Sequence, residues 1–425
     1  MTISATTQGL KPGICTSTTR PVTPFTGMII YETDTLLAKV WTGSAWVDYP
    51  AGKANTASPT FTGTVVLPAT TSIGTVSNTE IGYVDGVTSA IQTQLDSKLT
   101  ATTAVTSNKN AIINGAMDVW QRGTNTGTLG VGGGSYIGPD RWWFYNNGFT
   151  TTMSQQSCGA TLPQFRNCLR IQRTSGQTSI VASVFVTPQE TINSVRFAGK
   201  VSILSFYARA SSGLSSATAL MVNVFTGTGT DQSNFSGGAY TGLANPLGVT
   251  PTLTTSWQRF TATGTIASTA TELSVQINFT PAGTAGASDY FEITGIQLEE
   301  GAVATPFEFE DYGTTLAKCQ RYFQVHSFSL SGYSGFADST TSFLAVGQFV
   351  VEMRSSPSNS PAATAADFEV RRAGVTSSVA TAIATNSTSF GGRVTVTTAA
   401  TLTAGAGGIF TASSGTKTLS WSAEL

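Results

Sequence analysis

"KVSILSFYARA", Lys200 to Ala210, carries its β-branched and aromatic residues at the period of a strand, not of a helix. The same pattern returns in "SIVASVFV" (179–186), "ALMVNVFT" (219–226), "WQRFTATGTI" (257–266), "ELSVQINF" (272–279) and "YFEITGIQLEE" (290–300). Each stretch is bounded by Gly, Ser, Asn or Pro, and no helical period intervenes. Several short strands at this spacing predict an antiparallel β-sandwich of the jelly-roll type over residues 108–311.

Beyond it, "DYGTTLAKCQRYFQ" (311–324) predicts a short helix with Leu316, Cys319 and Phe323 on one stripe. Strand patterns then resume in "SFLAVGQFVVEM", "DFEVRRA", "GRVTVTTA" and "TKTLSWSAEL", so residues 312–425 read as a second, small β domain. Before the sandwich, "RPVTPFTGMIIYETDTLLAKVWTGSAWVDYP" offers two short strands, Met28 to Tyr31 and Ala38 to Trp41, around a polar turn. Residues 1–57 hold too little apolar material for a core of their own.

Residues 58–107 differ again. Phe61, Val65, Leu67 and Ile73 are spread thinly among Thr, Gly and Pro, and "TEIGYVDGVTSAIQTQLDSKL" (79–99) reads as helix. A heptad register places Ile81, Thr88 and Leu95 at a, with Val84, Ile91 and Lys98 at d. Gly82 and Gly86 divide it into two short helices, near Thr79 to Asp85 and Thr88 to Lys98. Isolated helices shorter than ~12 to 15 residues are marginal in water, so these require packing against other chains. A homotrimer with Ile81, Val84, Ile91 and Leu95 at its interface supplies it.

Composition narrows the function. Charged residues are 11% of the chain and the formal net charge is -1, so no field steers nucleic acid or an anionic membrane. No run approaches the ~18 apolar residues of a membrane span, and the N-terminus lacks the basic and apolar regions of an export signal. Neither nucleic-acid binding nor membrane insertion is expected. Cys15, Cys158, Cys168 and Cys319 have no CxxC spacing; they read as reduced thiols, with Cys158 and Cys168 close enough for a hairpin to bring together. "GVGGGSYIG" (130–138) precedes no helix and reads as a flexible loop, not a phosphate cradle.

Several stretches carry a family likeness. "SPTFTGTVVLPATTSIG" followed by "TEIGYVDGVTSAIQTQLDSKL" resembles the shaft of bacteriophage fibre proteins. "NAIINGAMDVWQRGT", "GPDRWWFYNNG" and "FEITGIQLEEGAVATPFEFEDYGTTLAKCQRYFQ" resemble the carbohydrate-binding-module type of jelly roll near the distal end of phage tail fibres. The leading "RPVTPFTGMIIYETDT" is similar to short N-terminal elements of the same proteins. The resemblance implies an elongated homotrimeric virion fibre, assembled in the host cytoplasm, held to another virion protein by its N-terminal segment. Its distal domains would meet a host surface polysaccharide or lipopolysaccharide.

The chemistry available fits binding better than catalysis. His326, the one histidine, stands in the strand-like "FQVHSFS" without an accompanying motif. Glu299, Glu300, Glu308, Glu310 and Asp311 form the densest acidic group; adjacent carboxylates on a strand point to opposite faces, so a solvated edge is expected, not a hydrolytic pair. No ligand spacing supports calcium at Asp289 or Glu292, and neither metal nor cofactor is expected.

A glycan needs flat aromatic faces with uncharged hydrogen-bonding neighbours. In "PDRWWFYNN", alternation puts Arg141, Trp143 and Tyr145 on one face and Trp142 and Phe144 on the other; with the latter pair in the core, the former set is exposed. Burial of both faces, by the sandwich on one side and a neighbouring subunit on the other, is the reading favoured over that exposed set, since large aromatics usually serve packing or interfaces. Tyr240 and Trp257, on or beside loops, are secondary candidates, whereas Trp120, Gln121 and Arg122 read as structural. The expected function is host attachment by a non-enzymatic fibre. A head-attached or purely structural fibre, and a polysaccharide-cleaving fibre, are the alternatives.

Overall fold

In the computed structural model, the described residues are 12–49, 75–77, 79–80, 83, 87, 91, 108–234, 240–329, 332–360, 362–372, 375–398 and 402–425. They belong to two compact units, Met1–Ser97 and Lys98–Leu425.

The first unit contains a four-stranded sheet of β1 (Gly13–Cys15), β2 (Ile29–Glu32), β3 (Leu37–Trp41) and β4 (Trp46–Asp48) in that order. β1 runs parallel to β2 and the other pairs are antiparallel. The two strands expected from sequence are present, flanked by two that were not anticipated. Among its described sheet residues only Ile30 and Glu32 are buried, Glu32 paired with Arg20, so the segment indeed lacks an apolar core.

Thr79, Glu80 and Ile91 are helical. Ser77 and Glu80 bond reciprocally: the Ser77 N–H donates to Glu80 Oε2 at 2.8 Å, and the Glu80 N–H donates to Ser77 Oγ at 3.3 Å. This reciprocal capping box, not singled out from the sequence, fixes the helix start. Ile91 is exposed in the single chain; Ile81, Val84 and Leu95 lie outside the described residues.

The second unit opens with β5 (Asn125–Leu129), β6 (Gly133–Tyr136), β7 (Trp143–Asn146), β8 (Thr151–Ser157), β9 (Asn167–Arg173) and β10 (Ser183–Gln189). β11 (Val201–Ala210), β12 (Leu220–Gly227), β13 (Ala244–Val249), β14 (Gln258–Thr265), β15 (Glu272–Phe279) and β16 (Tyr290–Glu300) follow. They form two six-stranded sheets: a front sheet ordered β13-β12-β15-β10-β7-β6 and a back sheet ordered β14-β11-β16-β9-β8-β5.

Period two builds the core between them. On β11, Leu204, Phe206, Ala208 and Ala210 point inward; Phe144, Phe185, Val222 and Ile277 meet them from the front sheet. Gly295, at φ +63°, belongs to the β16 segment where the β11–β16 register slips, a conformation that glycine adopts without strain. Residues 110–120 run alongside β16: the Ala111 N–H donates to Leu298 O and the Ile296 N–H to Gly115 O. This is the structural role of "NAIINGAMDVW", whose Met117, Val119 and Trp120 are buried.

The glycine-rich stretch expected as a flexible loop instead contains β6, because the Trp143 indole lies across Gly134 from the neighbouring strand. A Cβ at Gly134 would come within 1.8 Å of that ring.

After the helix Tyr312–Gln320, capped by the Asp311 carboxylate, come β17 (Phe323–Phe328), β18 (Tyr333–Ala337), β19 (Ser342–Gln348), β20 (Ser358–Asn359) and β21 (Phe368–Arg372). β22 (Val375–Ser387), β23 (Gly391–Thr398), β24 (Gly407–Ala412) and β25 (Lys417–Ser422) complete the chain. Six of them close a barrel, β18-β19-β23-β22-β21-β24, and β17-β25-β20 form a separate three-stranded sheet. Phe343, Val394, Val396, Phe410 and Trp421 fill a second core. The predicted helix ends at Gln320, so Phe323 belongs to β17 and not to the helical stripe.

No simple linker separates sandwich from barrel. Gln121 donates to Phe323 O at 2.8 Å, Arg321 pairs with Glu190 at 3.1 Å, and Arg122 reaches Glu424 at 3.1 Å.

Candidate functional site

The outer face of the front sheet is set by register. Tyr145 on β7 stands beside Val184 on β10, which stands beside Asn278 on β15, which stands beside Met221 on β12. One step along the strands, Trp143, Val186, Gln276 and Asn223 make the next row. Their sequence neighbours Phe144, Phe185, Ile277 and Val222 are core, so alternation directs these side chains outward. Three inter-strand spacings give the row a span of ~14 Å.

Two margins of this face use glycine in the same way. Trp143 lies over Gly134 on the edge strand β6, and the Asn223 amide lies over Gly248 on the other edge strand, β13, where a Cβ would meet Asn223 Oδ1 at 2.5 Å. Trp143 and Tyr145 stack with planes 1° apart and centroids 5.8 Å apart. Tyr145 is half-buried and Met221 exposed, whereas Trp143 is only 8% exposed.

Beside the aromatic pair, Gln276 Nε2 donates to Asn278 Oδ1 at 2.8 Å. That bond leaves Gln276 Oε1 as an acceptor and Asn278 Nδ2 as a donor, both without a partner among the described residues. The row Tyr145–Val184–Asn278–Met221 carries no charge. Together with Gln276 of the adjoining row, which is also uncharged, it offers an apolar ring face, a free acceptor and a free donor, the set that a sugar's C–H face and hydroxyls require.

The five residues singled out from sequence do not form one cluster. Trp143 and Tyr145 share this face as expected. Arg141 does not: it precedes β7, has φ +73°, and is fully buried, with its guanidinium 3.5 Å over the Tyr322 ring and paired with Glu424. The exposed set of Arg141, Trp143 and Tyr145 therefore reduces to Tyr145, with Trp143 as its largely covered neighbour. Tyr240 is buried over Gly227 near Ser274, at the covered end of the same sheet face, and burial pushes its phenol pKa up. Trp257 packs on the back sheet's outer cluster with Cys158, Leu162, Phe165 and Cys168, beneath the Arg209 guanidinium at 4.8 Å. Gln276, Asn278 and Asn223 were missed, although "ELSVQINF" and "ALMVNVF" carry them at outward positions.

The acidic group is solvated only in part: Glu300, Glu310 and Asp311 are exposed as expected, but β16 is an interior strand of the back sheet, not an edge. Glu299 is buried and accepts from the Thr305 N–H and Oγ1; Glu308 accepts from the Asn108 and Asn110 N–H groups; Glu310 pairs with Lys318. Glu300 alone among the strand pair faces solvent, where Lys200 lies 3.3 Å away. Asp289 and Glu292 are occupied by arginines: Arg173 bonds Asp289 at 2.7 Å, while Arg170 and Arg209 bond Glu292. The Arg173 guanidinium also donates to the carbonyls of Gln177, Ser179, Ala282 and Gly283, filling with its own charge a position ringed by oxygens. No cluster of metal-ligating residues occurs among the described residues.

The Cys158–Cys168 expectation is met: the β8–β9 hairpin holds both thiols buried in one cluster, where hydrogen bonding and burial push the Cys168 thiol pKa up. The His326 ring bonds Tyr333 Oη through Nδ1 at 2.7 Å, and burial lowers its pKa.

The fold and this face define a jelly-roll-like β-sandwich joined to a β-barrel. No protein-family model and no curated protein matches the sequence. Among solved structures, a putative sugar binding protein from Bacteroides thetaiotaomicron is similar at 15% identity and TM-score 0.29, over 45% of this chain and 100% of that one. A structure described as "CBM4 structure and function" is similar at 19% identity and TM-score 0.27, over 44% and 98%. A Stig cyclase from Fischerella is similar at 10% identity and TM-score 0.30, over 45% and 97%. Neighbours with such different described activities carry no functional argument at these scores.

Proposed function

We propose that the chain is a non-enzymatic, glycan-binding fibre protein of a bacteriophage that attaches the particle to a host surface polysaccharide or lipopolysaccharide. The observation that carries the binding reading is the parallel Trp143–Tyr145 stack beside the half-satisfied Gln276–Asn278 amide pair, across two adjacent uncharged rows of the front sheet. The fibre reading rests on the resemblance of residues 58–107 to trimeric shafts and on the thin core of the first sheet. In it three copies associate through Ile81, Val84, Ile91 and Leu95, and the N-terminal segment docks on another virion protein. Binding is favoured over cleavage because the buried carboxylates Glu272, Asp289, Glu292 and Glu299 are each engaged by backbone, hydroxyl or guanidinium donors.

Incubating the purified protein with host surface polysaccharide separates the readings. Retention without chain shortening supports the binder, shortening supports a depolymerase, and neither supports a purely structural fibre. Tyr145→Ala and Gln276→Ala should each reduce retention; retention unchanged in both removes the front-sheet site. Mass in solution tests the trimer, and a stable folded monomer overturns it.

A further inference from the structure

The barrel carries a second concave feature, independent of the sandwich face. It is an open groove of about 670 Å³ across β19, β22 and β23. Cross-strand pairing places Val346, Arg393 and Asn386 in one row, and Gln348 beside Gly391 in the next. Phe390, in the turn that joins β22 to β23, is 66% exposed and supplies an open ring face.

The polar groups here are unspent. Arg393, Asn386 and Gln348 have no hydrogen-bond or ion-pair partner among the described residues, although Arg371 on the same barrel pairs with Glu369, and Lys417 on the neighbouring three-stranded sheet pairs with Asp367. Glu352 accepts from Ser389 Oγ at 3.1 Å and not from Arg393.

The groove wall is stiffened from inside. Gly347 and Gly392 are buried, and a Cβ on either would strike the Tyr333 ring at 2.1 Å or the Trp421 ring at 2.3 Å. Trp421 thus presses against the strand that carries Arg393, and Tyr333 against the neighbouring strand β19.

We infer that this groove binds a sugar residue bearing a carboxylate. An unpaired planar guanidinium receives a carboxylate through two parallel hydrogen bonds, the two amides serve ring hydroxyls, and Phe390 covers the C–H face. The front-sheet row, uncharged, suits neutral sugars; the barrel groove suits acidic ones. The inference extends the glycan-binding reading to a second site and does not require the first.

The test uses the full chain on an immobilised panel of uronate- and sialate-bearing oligosaccharides, each beside its carboxyl-reduced counterpart. At least one carboxylated member should be retained about tenfold better than its reduced form, the scale of one charge-assisted contact. Arg393→Gln should abolish that preference, Arg393→Lys should restore part of it, and Tyr145→Ala should leave it intact. Arg393 is exposed, so unchanged unfolding curves show that these variants remain folded. A panel without any carboxylate preference, or one whose preference survives Arg393→Gln, overturns the inference. Retention of neutral members that Tyr145→Ala abolishes would leave the front-sheet reading standing while the groove fails.

Discussion

Arg141 and Glu424, 283 residues apart in sequence, form a buried ion pair that ties the start of β7 to the end of the chain. Arg141 also donates to Pro188 O at 2.7 Å, and Arg122 shares the Glu424 carboxylate. The penultimate residue therefore neutralises two arginines in the seam between sandwich and barrel. Glu424→Ala leaves the Arg141 charge buried without its partner, a loss of about 3 to 5 kcal/mol. Urea unfolding of the variant checks this; a change below about 1 kcal/mol, the scale of an exposed pair, would show that the seam is solvated.

This pair also marks where the sequence stopped being legible. Alternation correctly separated Trp142 and Phe144 from Trp143 and Tyr145, because burial on a strand follows local period. It failed for Arg141 because the strand begins two residues later, and a left-handed backbone turns that side chain elsewhere. Its partner is distant in sequence, so no local pattern announces it. Gln276 and Asn278 were visible as outward residues, but their place beside Tyr145 depends on two successive strand registers through β10. The strand periods of the sandwich core were local and readable; the site is a product of pairing between distant strands.

Arg173 supplies a second test of buried charge. Its guanidinium serves Asp289 and four carbonyl oxygens and is 0% exposed. Arg173→Met removes the cation and strands Asp289, so a loss of about 3 to 5 kcal/mol or failure to fold is expected. Arg173→Lys keeps the charge but cannot span the same acceptors, and its unfolding midpoint should fall between those of wild type and Met.

Two groups give opposite pH slopes. Burial lowers the His326 pKa below its ordinary 6.5, so its stabilising contribution is present above pH 6.5 and is lost as pH falls through the folded value. Asp140 behaves oppositely: burial pushes its carboxyl up to about 6, against the pull of Arg122 and Gln121. Its contribution is fully present below 3.8 and is lost as pH rises through about 6. NMR titration of the single histidine should therefore show a midpoint below 6.5. Unfolding free energy in Asp140→Asn should lack the decline that wild type shows between pH 4 and 6, once the constant cost of the substitution is subtracted.

The front-sheet face permits packing and binding to be separated through the two stacked rings. Trp143 is 8% exposed and lies on Gly134, so Trp143→Ala opens a void and should cost about 3 kcal/mol or more. Tyr145 is half-buried at the open row, and Tyr145→Ala should cost markedly less stability. Gly134→Val acts on the same contact from beneath: a side chain there cannot coexist with the indole at its present position, so Trp143 must tilt and the parallel stack with Tyr145 must break. If the stack is the binding platform, Gly134→Val should reduce polysaccharide retention as strongly as Tyr145→Ala does, although residue 134 itself offers no polar contact. Retention lost in Trp143→Ala alone, in proportion to its instability, would assign that indole to packing and remove the platform.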